Sequence, residues 1–124
     1  WQPQVVAIEE PFIPLASSHN EEFKTSVRSV MAIGQSVAVA LLAATSLDIP
    51  TSLYTPTQVK RSVSNYGRGS KEQVQEAVKL TLGLSHPPEP LDASDALAVA
   101  LCHLQNYHVS KIRASGTSGA RSTL

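Results

Sequence analysis

The stretch Leu91-Asp92-Ala93-Ser94-Asp95-Ala96-Leu97-Ala98 opens the last apolar run of a 124-residue chain. A helix predicted from about Asp92 to Tyr107 carries both aspartates on one face, because residues three apart are neighbours on a helix surface. Far upstream, Val5-Val6-Ala7-Ile8 is apolar without alternation, which predicts a short, fully buried strand that ends at Glu9. A strand ending in an acid and a late helix opening with two can converge on one metal site. Magnesium is a hard cation that takes oxygen ligands and keeps several waters. Two such ions can clamp the attacking and leaving oxygens of a phosphodiester. The pattern points to nuclease-type chemistry.

Between these ends the chain reads as alternating elements. Pro11, Pro14, Ser17, Ser18 and Asn20 mark a loop, and a helix is predicted from about Glu21 to Ser46. Its second half, Val37 to Ala44, is apolar all round. Such a helix is expected to be buried on every face, by the sheet and a partner subunit or by other helices. Those eight residues are too short to span a bilayer. Ser52-Leu53-Tyr54 predicts a second strand, and Thr55-Pro56 predicts a helix start. Ser70 with Gln73 predicts a capping box, and Gly83 ends the helix it opens. His86-Pro87-Pro88-Glu89-Pro90 is a rigid link to the last helix. The order is that of an α/β domain. Two strands alone cannot bury these helices, so more strands are expected in the native sheet.

Composition fits one soluble domain, with 42% hydrophobic residues and zero net charge. The charge is unevenly spread. Residues 1–50 carry net −3, residues 51–82 net +3, and residues 83–110 net −3, while the tail from Lys111 has three bases and no acid. Acidic blocks beside a basic one suit metal ligands beside a phosphate-binding surface, though scatter among few charges gives the same pattern. Cys102 is the single cysteine, which excludes an internal disulfide and suits a small core residue in a reducing cytoplasm. No secretory signal is visible, and no membrane partner is expected.

Four ordered motifs then carry a resemblance. They are Val6-Ala7-Ile8-Glu9 with Phe12, then Gly34-Gln35, then Tyr54 through Gln58-Val59-Lys60 to Gly67 and Lys71-Glu72-Gln73-Val74, and last Asp92 through Ala98. From Trp1 to about Leu104 the chain resembles roughly the C-terminal two-thirds of bacterial RuvC-type Holliday-junction resolvases, members of the ribonuclease H-like fold. The resemblance implies a mixed sheet flanked by helices, here an N-terminally truncated version, over residues 1–110, with residues 111–124 a basic, Ser/Gly-rich flexible tail. It implies a homodimeric, magnesium-dependent endonuclease that nicks four-way DNA junctions symmetrically in recombination and repair. Two ions per site are expected, with manganese as a substitute, and a branch-migration complex as a further partner. The family uses four acids. Glu9, Asp92 and Asp95 match three; the fourth lies on a first strand that this sequence does not include. Ser36-Val37 and Asn65 depart from the family pattern.

Each role has a plainer alternative. Glu9 is a metal ligand or a solvated acid at a strand end. Asp92 and Asp95 are ligands or helix-capping acids. By the resemblance, Lys60 and Lys71 contact DNA and support catalysis, and Arg61 and Arg68 are further DNA-binding candidates; the alternative for these residues, and for Lys79, is a solvated basic surface. The resemblance gives Phe12 a wedge role, stacking on unpaired bases at the junction centre, with Tyr66 a weaker candidate. The alternatives to a resolvase are a non-catalytic DNA-binding and dimerisation fragment, or a ribonuclease H-like nuclease acting on RNA–DNA hybrid.

Overall fold

A computed structural model of the chain describes residues 2–11, 27–63 and 70–117, with side chains to residue 115. The chain forms two compact units, residues 1–56 and 57–124. The order is β1 (Val6–Glu9), α1 (Val27–Ser46), β2 (Thr51–Tyr54), α2 (Pro56–Val63), α3 (Lys71–Leu82) and α4 (Leu91–Thr117).

In the first unit, β1 and β2 pair in parallel, with Val6 opposite Thr51 and Glu9 opposite Tyr54. Backbone bonds extend the pairing at both ends: the Val6 N–H donates to the Pro50 carbonyl at 2.9 Å, and the Glu10 N–H to the Tyr54 carbonyl at 2.8 Å. A parallel pair needs a crossover, and α1 supplies it, packing on β2. The helix ends through a turn at Asp48, whose φ of 53° is left-handed. Aspartate tolerates that region better than most residues. The Ile49 N–H reaches back to the Ala44 carbonyl at 2.9 Å and closes the turn.

Two expectations change here. Val6 to Ile8 are half-buried, not fully buried, because one neighbouring strand covers only part of their surface. Within this chain, the described residues do not enclose the apolar helix either. Ala44 is its buried residue, whereas Val39 is 66% and Leu42 70% exposed. The apolar span is also longer than Val37–Ala44: with Val27, Val30, Met31 and Ile33 included, α1 is long and apolar enough to cross a membrane by length and composition.

The second unit has a closed core. Val59 of α2, Val74 and Val78 of α3, and Ala98, Val99 and Cys102 of α4 are buried. Cys102 is the small core residue expected. Ser94, Ala98 and Cys102 recur at a spacing of four along the buried side of α4, the helical repeat for one face. The α3 boundaries follow the sequence signals. Gln73 N–H donates to Ser70 Oγ at 3.3 Å, and Ser70 N–H donates to Gln73 Oε1 at 2.9 Å. Gly83 closes the helix at φ 64°, with the Leu84 N–H donating to the Lys79 carbonyl at 2.9 Å. The last helix differs from expectation: it starts at Leu91 and continues past Tyr107 to Thr117. Cys102 is its last buried residue, and the described side chains from Leu104 to Ser115 are exposed.

Candidate active site

The aspartate pair is set by three features of the second unit. Gln75 Nε2 of α3 donates to the Pro88 carbonyl at 2.8 Å and ties the proline-rich link to the core. The Ala93 N–H donates to the Pro90 carbonyl at 2.9 Å and makes the first turn. The buried side chains of Ser94 and Ala98 then fix the rotation of α4. Asp92 lies exposed in the first turn, and Asp95 is half-buried one turn on. With described residues, neither carboxylate forms a hydrogen bond or an ion pair, so Asp92 does not serve as the side-chain cap considered above.

Between the two, the Ser94 hydroxyl is buried without a hydrogen-bond partner among the described residues. Its position on the core side of α4 explains the burial.

Glu9 belongs to the first unit, exposed at the C-terminal end of β1. Glu10 follows it with its N–H bonded to β2, so the backbone there is held by the sheet. Among the described residues, no three His, Cys, Asp or Glu side chains form a group able to hold a metal ion. Glu9 lies in the first unit and the α4 pair in the second.

The basic candidates separate by setting. Lys60 is half-buried and Arg61 exposed, both in the last turn of α2, where cations complement the helix dipole. Lys71 is exposed as the first residue of α3, where the dipole opposes a cation, so helix stability does not account for it. Its neighbour Glu72 titrates below the ordinary glutamate range. Its own backbone N–H is the largest cause, followed by the Ser70 hydroxyl, with the Lys71 charge a lesser one and partial desolvation opposing. Lys79 pairs with Glu76 at 2.9 Å, which makes it part of an ordinary helix-surface pair. Phe12, Tyr66 and Arg68 lie outside the described residues.

Sequence reasoning passed over two polar contacts. Gln75 to Pro88 and Gln105 Nε2 to the Ser62 carbonyl, at 2.9 Å, join segments far apart in the chain. A lone glutamine carries no local signal for such a partner.

A family model described as Crossover junction endodeoxyribonuclease RuvC matches residues 1–103. The chain belongs to the RuvC family. It is 41% identical over 116 residues to the RuvC of Dehalococcoides mccartyi, covering 94% of this chain and 64% of that protein. It is 42% identical over 120 residues to the RuvC of Syntrophomonas wolfei, covering 97% and 64%. For the RuvC of Rubrobacter xylanophilus the match is 42% over 110 residues, covering 89% and 56%. The chain thus spans between 56% and 64% of the length of these three relatives. Among solved structures, Thermus thermophilus RuvC matches with a TM-score of 0.68 and 32% identity, over 87% of this chain and 59% of that one. The same protein in complex with Holliday junction substrate matches with a TM-score of 0.68 and 30% identity, over 86% and 59%. The ribonuclease H-like fold read from the four motifs is the fold of these neighbours.

Proposed function

We propose that the protein is a structure-selective DNA endonuclease that resolves four-way junctions, with magnesium as its metal. The observation that carries this reading is the Asp92/Asp95 pair: two carboxylates on one helix face, engaged with no described residue, in a chain of the RuvC family. Family membership and the junction-bound neighbour support the substrate class.

The donor set fits a hard divalent cation, because every candidate ligand is a carboxylate oxygen. Asp92, Asp95 and Glu9 would hold the metal. When bound, magnesium supplies Lewis-acid polarisation and charge neutralisation for phosphodiester hydrolysis. Lys60 and Lys71 act as point charges that hold phosphates beside the reacting one. Phe12 stacks on an unpaired base near the junction centre. Junction selectivity arises from shape and phosphate contacts, which position the duplex arms without reading their sequence. The exposed apolar face of α1 supports assembly as a homodimer, since apolar patches of that kind mark association surfaces. The proposed compartment is the cytoplasm, where a branch-migration complex would meet the same junctions.

A non-catalytic DNA-binding fragment is the second reading, favoured by the lack of a three-acid group among the described residues. The test is a cleavage assay on the chain with a mobile four-way junction, linear duplex and RNA–DNA hybrid. Magnesium, manganese and chelator form its three conditions. Symmetric nicks in the junction alone, dependent on the divalent ion, are the expected result. Junction binding without cleavage supports the second reading, and hybrid cleavage points to a different nuclease of the same fold.

A further inference from the structure

The two strands of the first unit sort their side chains onto two faces. The parallel register pairs Val6 with Thr51, Ala7 with Ser52, Ile8 with Leu53 and Glu9 with Tyr54. Side chains alternate along each strand, so paired positions share a face. One face therefore carries Val6, Ile8 and Leu53 beside Thr51. The other carries two small residues, Ala7 and Ser52, and then Glu9 and Tyr54 at the C-terminal edge. In open α/β sheets that edge is where ligands bind. Glu9 and Tyr54 are direct cross-strand neighbours there, on strands about 5 Å apart.

The backbone fixes this pairing at the edge itself. The Glu10 N–H donates to the Tyr54 carbonyl at 2.8 Å, so the register holds one residue beyond Glu9. A slip of one residue would send either side chain to the opposite face. Exposure then separates the two: Glu9 is exposed, whereas Tyr54 is half-buried. A half-buried tyrosine has an apolar ring and a polar tip that takes a hydrogen-bond partner. Packing of the ring needs no hydroxyl, so packing does not account for a phenol at this position. Within the two strands, Tyr54 carries the O–H that the register sets beside Glu9; Ser52 stands opposite Ala7, one pair back on the same face. Glu10 follows on the other face. A carboxylate that gives one oxygen to a cation has a second oxygen to accept a hydrogen bond, and such bonds orient ligating carboxylates.

We infer that the Tyr54 hydroxyl donates to the Glu9 carboxylate and holds it in the orientation that takes a divalent cation. Tyr54 is then a positioning residue that acts through Glu9. This rests on the reading of Glu9 as a metal ligand.

The test is Tyr54→Phe in the complete chain, which keeps the ring and removes the hydroxyl. Manganese binding without DNA is followed by electron paramagnetic resonance, with Glu9→Gln as the reference variant. Tyr54→Phe should weaken manganese affinity about tenfold. Its melting temperature and its junction affinity, both in chelator, should match those of the unmodified chain. Cleavage should need more magnesium and approach the unmodified rate once magnesium saturates, which separates metal affinity from rate. Unchanged manganese affinity in Tyr54→Phe, with Glu9→Gln losing it, would overturn the inference alone. A lowered melting temperature in chelator would overturn it by giving the hydroxyl a structural role, and a lowered junction affinity in chelator would do so by making it a DNA contact. Manganese affinity that is absent in the unmodified chain, or untouched by Glu9→Gln, would overturn the inference and the metal-ligand reading of Glu9 together.

Discussion

The two units of this chain use apolar residues in opposite ways. In the second, one side of each of α2, α3 and α4 buries Val59, Val74, Val78, Ala98, Val99 and Cys102. In the first, a 20-residue helix of almost continuous apolar character buries Ala44 and leaves Val27, Met31, Val39 and Leu42 exposed. The difference is one of patterning rather than of hydrophobicity. A stripe can be covered by one neighbouring helix, whereas a helix apolar on all sides needs neighbours on all sides. Among the described residues, the two strands β1 and β2 do not supply them.

Paired substitutions sharpen this contrast. Val78, with none of its surface exposed, should cost about 2–3 kcal/mol when replaced by alanine, measured by urea unfolding. Val39→Ala, at a site 66% exposed, should stay within about 0.5 kcal/mol. Equal losses would break the comparison and mean that α1 is covered in solution. Glycines give the next pair. Gly83 holds a left-handed φ, and a Cβ there meets nothing within 4 Å, so Gly83→Ala should destabilise by about 1–2 kcal/mol through backbone conformation alone. Gly34 lies within α1 with the same open surroundings, and Gly34→Ala should instead stabilise by roughly 0.5–1 kcal/mol. Thermal unfolding of the two variants should therefore shift in opposite directions.

Smaller effects belong to the surroundings of the acids. Ser94→Ala removes a buried hydroxyl with no described partner and should raise stability by about 1 kcal/mol or less. A loss would reveal a hydrogen bond to residues outside those described. The smallest effect is that of Glu72. Its carboxyl titrates below the unfolded value, so its contribution is present above the unfolded pKa and is lost as pH falls through the folded one. Glu72→Gln should lower the melting temperature slightly at neutral pH and leave it nearly unchanged at acid pH, which flattens the acid limb of the stability–pH curve.

Local chemistry was legible in the sequence wherever a rule acts within a few residues. The Ser70/Gln73 capping box, the Gly83 stop and the Pro56 start all stand where side-chain and φ requirements put them. The family was legible too, because four motifs in order are more specific than any one. What escaped depends on partners far along the chain. The half-burial of β1 and the exposure of α1 depend on how many neighbours each has, which periodicity does not count. The continuation of α4 to Thr117 was hidden because Ser110, Ser115 and Gly116 read as loop formers. A preceding helix with no proline to stop it carries them along. At the site, the acids were legible as residue types, whereas the Gln75–Pro88 tie that sets the start of α4 was not.

The central claim is that Glu9, Asp92 and Asp95 serve cleavage rather than folding or DNA binding. The most direct measurement compares junction binding with junction cleavage for Glu9→Gln and Asp95→Asn beside the unmodified chain in magnesium. Each variant should retain junction affinity within about threefold and lose cleavage by roughly a hundredfold or more. Loss of binding together with cleavage, or cleavage that survives either substitution, would contradict the account.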